Sequence, residues 1–460
     1  MTVGGGHVAP LSAAAERRAR GRAGTRVFSV CLALFITVAV ARIQDVVPGL
    51  AYLRPGKLLV LPIATAALVA LPQWQLVVAL RSGVARCVAL IGVLALLSIP
   101  LSIWPSNSVH YLLNALIPSL LLFVVASAGF ADRRTARLCI LALVLSVGLD
   151  AAFILLGFAP QIAGRPYIGV GFDPNESAAL FVLALPFAIT LGNRREKRRR
   201  LLGLAIALLL VAAVIATGSR GGVIGLLVVA TTLILRAGSR WRPAYIFAVV
   251  LCAAVIALAA DDAQLARYET LLTPKSDYNL TEREGRVQVW SRGIGYMITH
   301  PVFGTGLNSF ETAEGVLGRK ANEGSGIRYT AAHNALVEIG AELGVIGLAA
   351  FVIAFWTAGA GCRTVHRRAL LGWPADPLRA EQEATLAGSA YCALLGLAAC
   401  GFFLSIAYHA ITFFALAVCT GVVAGSPYSR LVPVRNARLG RAASLPRRAP
   451  ASAVASVPTR

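Results

Sequence analysis

The sequence predicts an all-α, polytopic membrane protein with about 12 transmembrane helices and one long, partly helical loop on the outer side. Three observations lead there. The chain of 460 residues is 57% hydrophobic and only 14% charged. Apolar runs of about 18 residues or more recur along it, each long enough to cross a hydrocarbon core of about 30 Å. Basic residues collect at alternate ends of those runs, as the cytoplasmic ends of spanning helices require. A soluble domain would show amphipathic stripes instead.

In chain order, residues 1–26 are Gly/Ala/Arg-rich and are expected to be a disordered cytoplasmic N-terminus. Arg17, Arg18, Arg20, Arg22 and Arg26 hold this end inside. Ala39-Val40-Ala41 resembles a signal-peptidase site, but an uncleaved anchor is the preferred reading. Spans are expected at 27–47, 57–72, 84–104, 109–130, 136–158, 174–192, 201–217, 221–236 and 243–260, making residues 27–260 a block of nine helices. Residues 261–332 form the long periplasmic loop. Spans at 333–358, 385–406 and 409–425 make up 333–425, and 426–460 is a Pro/Ala/Ser/Arg-rich cytoplasmic tail expected to be disordered. On this scheme 30 of the 43 Lys and Arg residues lie inside.

The net charge of +22 therefore belongs to topology. It is split among short loops and forms no single basic domain, so nucleic-acid binding is not supported. The eight cysteines include no CxxC pair and all but Cys362 fall in apolar spans, so neither a disulfide framework nor a zinc site is expected. Asp261-Asp262 is a carboxylate pair at the membrane edge, but no matching outer acid cluster stands with it, and no metal is expected. Asp150, inside the fifth span, is costly in lipid and should pair with a neighbour or line a cavity.

Three outer segments carry the candidate chemistry. The first is 158–173, with Arg165, Tyr167 and then Asp173-Pro174-Asn175. The second is the tight turn Gly218-Ser219-Arg220-Gly221-Gly222, where glycines let backbone approach a ligand. A guanidinium matches phosphate oxygens with parallel hydrogen bonds, and a lone outer arginine runs against the charge bias of the membrane. The alternative is an arginine that snorkels to headgroups.

The third segment is the long loop itself. From Arg283 to His300 it has a helical period, with Val287, Trp290, Ile294 and Met297 on one face and Arg283, Arg286 and Arg292 off it. Such a helix suits the membrane interface. His300-Pro301 stops it, and Phe303-Gly304-Thr305-Gly306 is a turn. Arg286, between Gly285 and Trp290, is placed to reach a surface phosphate, whereas Arg283 alone reads as a solvated charge. His333 stands where the loop enters the tenth span, followed by Asn334, with Glu338 and Glu342 on the face of Asn334. An imidazole can take a proton at working pH, yet by position alone a capping or packed histidine is the commoner outcome. His110 and His409 lie near the same side.

These residues resemble a known family. His333-Asn334, nine residues, Gly344, two residues and Gly347 is similar to the signature of O-antigen ligases and Wzy-type polysaccharide polymerases. The preceding GRVQVWSRGIGYMITHPVFGTGLNSF, the GSRGG turn and the GFDPNESA stretch also resemble that superfamily. The resemblance covers about residues 170–350 and implies a membrane glycosyltransferase of the GT-C class in the bacterial inner membrane, acting on its periplasmic side. Its donor would be a glycan on undecaprenyl pyrophosphate. A ligase would pass that glycan to lipid A-core, and a polymerase would pass it to another lipid-linked repeat. The resemblance implies that Arg220 and Arg286 hold the pyrophosphate and that His333 is the base or orients the acceptor hydroxyl. Arg283, Asn334, Arg165 and Trp290 would support them. It implies no cofactor, nucleotide or metal. A transporter or flippase is the rival from another class, but matched broken helices and midplane charge pairs are not evident.

Overall fold

The computed structural model describes residues 9–46, 73–169, 171–192, 196–236, 285–321, 329–371 and 377–429, together with a few isolated positions. The expected spans 57–72 and 243–260, the pair Asp261-Asp262, Arg283 and the tail beyond Ser429 lie essentially outside the described residues.

The described chain is helical almost throughout. Helices α1 (Ala9–Ala39), α2 (Ile43–Val46), α3 (Gln73–Leu80), α4 (Gly83–Ser98), α5 (Pro105–Phe130) and α6 (Arg133–Leu155) come first. A two-stranded hairpin follows, β1 (Gln161–Ile162) paired with β2 (Arg165–Pro166). Then come α7 (Pro174–Gly192), α8 (Lys197–Ala216), α9 (Arg220–Arg236), α10 (Arg286–Thr299), α11 (Phe310–Ala321), α12 (Ala335–Leu371), α13 (Pro377–Gly401) and α14 (Ala410–Gly425). Among the described residues, seven helical segments are long and apolar enough to cross a membrane, and two shorter apolar helices lie at Gly24–Ala39 and Ala410–Gly425. These support a multi-pass, all-α membrane protein.

Local chemistry sets the helix ends. Ser82 caps α4 by accepting the Ala85 N–H at 3.0 Å, and Asp132 caps α6 by accepting that of Thr135 at 2.9 Å. Prolines open α5, α7 and α13, where the missing N–H costs nothing. Helix α7 packs on α8, α9 and α13, α12 on α13 and α4, α14 on α5, and α10 on α12. Segments expected on the outer side contact one another. Ile103 donates to the Thr305 carbonyl at 3.0 Å, and Arg165 donates to that of Thr217 at 2.8 Å. Segments expected inside do the same, with Arg133 paired to Glu383 and Arg137 to Gln382.

Several expectations are corrected. Helix α1 begins at Ala9, within the stretch expected to lack structure, because Ala and Arg are strong helix formers. The segment expected as one span at 27–47 breaks after Ala39, and Arg42 adopts φ 54° before α2. The all-α expectation misses the small hairpin, whose two-residue loop places Ala163 at φ 51° and Gly164 at φ 73°. The long loop holds a second helix, α11, that its period did not announce. On α10 the buried face is Val289, Gly293 and Tyr296, whereas Val287 and Ile294 are exposed. The expected face is rotated because Tyr296 turns inward to donate its hydroxyl to Glu314 at 2.8 Å, beside the Arg292–Glu314 ion pair.

The largest correction concerns the tenth span. Helix α12 runs from Ala335 to Leu371, past the expected end at 358, and Gly344 interrupts it with φ 70° and ψ −171°. Only glycine takes that conformation readily. The freed carbonyls of Ala341 and Glu342 accept the N–H groups of Thr305 at 2.8 Å and Gly306 at 3.1 Å. Val345 donates to the Pro301 carbonyl at 2.8 Å. The Gly304–Gly306 turn thus fills the break. His333 precedes a short helical segment, 335–343, rather than a straight span. Asp150 is fully buried, and neither carboxylate oxygen has a hydrogen-bond partner among the described residues.

Candidate functional site

Arg220 is the first residue of α9. The turn before it places Gly218 at φ 58°, and the Ser219 hydroxyl caps the helix by accepting the Gly222 N–H at 3.1 Å. Arg286 is likewise the first residue of α10, after Gly285. Each arginine therefore starts a helix, where the macrodipole already favours an anion.

His333 is held from three sides. Its backbone lies at φ 46°, an uncommon conformation for a residue with a side chain. Its N–H donates to the Ser405 hydroxyl at 2.9 Å. The carbonyl just before it, on Ala332, accepts the Trp290 indole N–H at 2.9 Å. The residue after it, Asn334, is buried and caps α12 by accepting from Leu336 at 2.9 Å and Val337 at 3.2 Å. Trp290 also packs edge-on against Phe402, with ring centroids 5.4 Å apart.

The charges around the imidazole matter to its chemistry. Burial holds His333 below its ordinary pKa, the Arg286 guanidinium pushes the same way, and Asp173 pulls it back up. The neutral, proton-accepting form is thereby favoured. The structure thus brings Arg286 and Asp173 into electrostatic reach of His333 from α10 and the start of α7.

Asp173 belongs to a capping box. Its carboxylate accepts the Glu176 N–H at 2.6 Å, and the Glu176 carboxylate accepts the Asp173 N–H at 2.9 Å. Asn175 donates to Asp173 at 3.0 Å and accepts from Arg165 at 2.8 Å. Arg165 also donates to the Thr217 carbonyl, so it ties the Asp173 cap to the turn that carries Arg220. On the far side of that turn, a Cβ on Gly221 would touch Phe403 at 3.3 Å. The segment 402–405 therefore reaches Gly221, Trp290 and His333 at once.

Glu338, half-buried, and Glu342, buried, are anchors. Glu338 accepts the Ala407 N–H at 3.0 Å, and Glu342 accepts those of Asn308 at 2.8 Å and Phe310 at 2.9 Å. Of the minor histidines, His110 is exposed, and His409 is half-buried, packs edge-on against Phe172 and caps α14. Sequence reasoning singled out Asp173 only as part of a segment; the D-x-x-E spacing at the start of α7 was the signal that could have found it. Nothing in the sequence pointed to Ser405, which lies far along the chain.

An open apolar groove of about 360 Å³ lies between α12 and α13. One end is lined by Ala335, Phe402 and Ile406, beside the His333 segment, and its other end reaches Arg363 and Tyr391.

A family model described as O-antigen ligase matches residues 205–352. The match contains Arg220, Arg286, His333, Gly344 and Gly347, and it supports the resemblance to the O-antigen ligase and Wzy-type polymerase superfamily. No curated protein matches the chain.

Proposed function

Taking the O-antigen ligase domain of residues 205–352 as premise, we propose that the protein is a membrane glycosyltransferase that moves a glycan from undecaprenyl pyrophosphate to a sugar hydroxyl of lipid A-core or a similar surface acceptor. The observation that carries this reading is His333, held by Ser405 and by the Trp290-bound carbonyl before it, with the charges of Arg286 and Asp173 acting on its imidazole.

In the proposed reaction the acceptor hydroxyl attacks the anomeric carbon of the donor glycan. The bond from that carbon to the pyrophosphate oxygen breaks, and the hydroxyl proton passes to His333. The pyrophosphate leaves on its lipid with added negative charge. Arg220 and Arg286, each at a helix N-terminus, would stabilise that charge where it develops. A positioned base commonly contributes about 10²–10⁴-fold. The donor brings its own bond energy, so no nucleotide is needed. Trp290, Asn334 and Arg165 act as positioning residues. Trp290 and Asn334 fix the backbone on either side of His333, and Arg165 fixes the turn before Arg220. Arg283 would add a further positive charge ahead of Arg286. The groove between α12 and α13 supports a polyprenyl tail entering from lipid beside the reacting end.

The active face would be the periplasmic side of a bacterial inner membrane. His333→Ala in the producing cell tests the reading. Loss of a ligase leaves bare core and unattached lipid-linked polymer. A repeat-unit polymerase leaves single repeats on core. Unchanged surface polysaccharide removes the assignment.

A further inference from the structure

The same groove has a second end that the transfer reaction does not use. From Gly344 to Arg363, α12 advances by on the order of 28 Å, about the thickness of a hydrocarbon core. There Arg363 and Arg236 flank one ring. The Arg236 guanidinium lies 5.0 Å from the centroid of Tyr391 and that of Arg363 lies 5.9 Å from it. Arg236 closes α9 and has its Nη2 buried without a hydrogen-bond partner among the described residues. A Cβ added to Gly388 would touch that Nη2 and the Nδ1 of His366, each at 3.3 Å, so the absence of a side chain there keeps the space open.

Neither arginine forms a salt bridge among the described residues. Glu383, on the same end of α13, is taken by Arg133. Two like charges beside one aromatic ring repel each other, and an unsatisfied buried donor is costly. An anion between them would relieve both. The groove that runs to Arg363 and Tyr391 is apolar, lined by Phe355, Trp356 and Leu394, and Trp356 is 75% exposed on its wall. Arg236 stands at the Tyr391 ring, 5.0 Å from its centroid. A cationic end joined to an apolar trough fits an amphiphile.

We infer that Arg236 and Arg363 bind the phosphate of an anionic phospholipid from the inner leaflet, with one acyl chain lying in the groove between α12 and α13. Such a lipid would share the groove with anything entering from the His333 end. The inference concerns binding alone, so its failure and that of the glycosyltransferase reading are separable.

The test is native mass spectrometry of the purified full chain, titrated with phosphatidylglycerol, phosphatidylcholine and inorganic phosphate. Phosphatidylglycerol should bind more tightly than phosphatidylcholine. Arg236→Gln and Arg363→Gln should each weaken phosphatidylglycerol roughly five-fold and leave phosphatidylcholine unchanged. If Arg236→Gln fails to fold, the exposed Arg363 carries the test alone. Equal binding of the two lipids, or no effect of Arg363→Gln, overturns the inference. Displacement of phosphatidylglycerol by equimolar inorganic phosphate would show a free-anion site and would also overturn it.

Discussion

The Trp290 indole N–H donates to the carbonyl oxygen of Ala332 at 2.9 Å, one residue before His333. This bond ties the helix that begins with Arg286 to the strained backbone that carries the imidazole. Trp290→Phe keeps the packing on Phe402 and removes only the donor. The expected outcome is a fall in kcat of about ten- to hundred-fold with the donor KM little changed. The lost hydrogen bond should cost stability only about 1 kcal/mol. Steady-state kinetics and a melting curve on the same preparation check both.

Gly344 should tolerate no side chain. Its φ of 70° and ψ of −171° suit glycine alone, and a Cβ there would overlap the Pro301 carbonyl oxygen. Gly344→Ala should lower stability by about 1–3 kcal/mol from backbone strain alone, with further loss from the overlap, and should abolish transfer. Gly295→Ala, where a Cβ meets open space, should leave both unchanged. Thermal unfolding in detergent distinguishes them.

The charges beside His333 set the direction of a pH experiment. A base works in its neutral form, so activity falls as pH drops through its pKa. Arg286 lowers that pKa and Asp173 raises it. Arg286→Gln should therefore move the acid limb of kcat/KM to higher pH. Asp173→Asn, which keeps a helix-capping side chain, should move it to lower pH.

The membrane class and many of the described helices were legible in the sequence because hydrophobic length reports directly on spanning segments. The Gly344 break was not, although Gly344 stood in the recognised spacing. A glycine inside an apolar run reads as a packing residue until its neighbours are known. The break depends on Pro301 and Thr305, some forty residues earlier. Arg220, Arg286 and His333 were singled out by residue type and by the side of the membrane expected for them. The hold on them was not legible, because Ser405, Ala332 and Thr217 act through a hydroxyl or a backbone carbonyl that carries no sequence signal. The buried face of α10 was misread for a similar reason. Tyr296 counts as polar in a periodicity, yet its ring packs inward once Glu314 accepts its hydroxyl.

His409 predicts an acid-sensitive fold. Burial, and then Arg42, hold its imidazole at about 4 against an ordinary 6.5. The unfolded chain therefore binds a proton that the native one refuses. The stability this group contributes is fully present above about pH 6.5 and is lost as pH falls toward 4. His409→Asn, which retains a capping oxygen, should flatten that decline in a denaturation series across pH.

Transfer in vitro from a defined polyprenyl-pyrophosphate-linked glycan to a core acceptor addresses the centre of the account. Wild type, His333→Ala, Arg220→Ala and Arg286→Ala are compared at equal folded concentration. The account predicts turnover by wild type without metal or nucleotide. It predicts a loss of about 10²-fold or more for His333→Ala, and large losses for both arginine variants. Unchanged turnover in His333→Ala together with Arg220→Ala would contradict it.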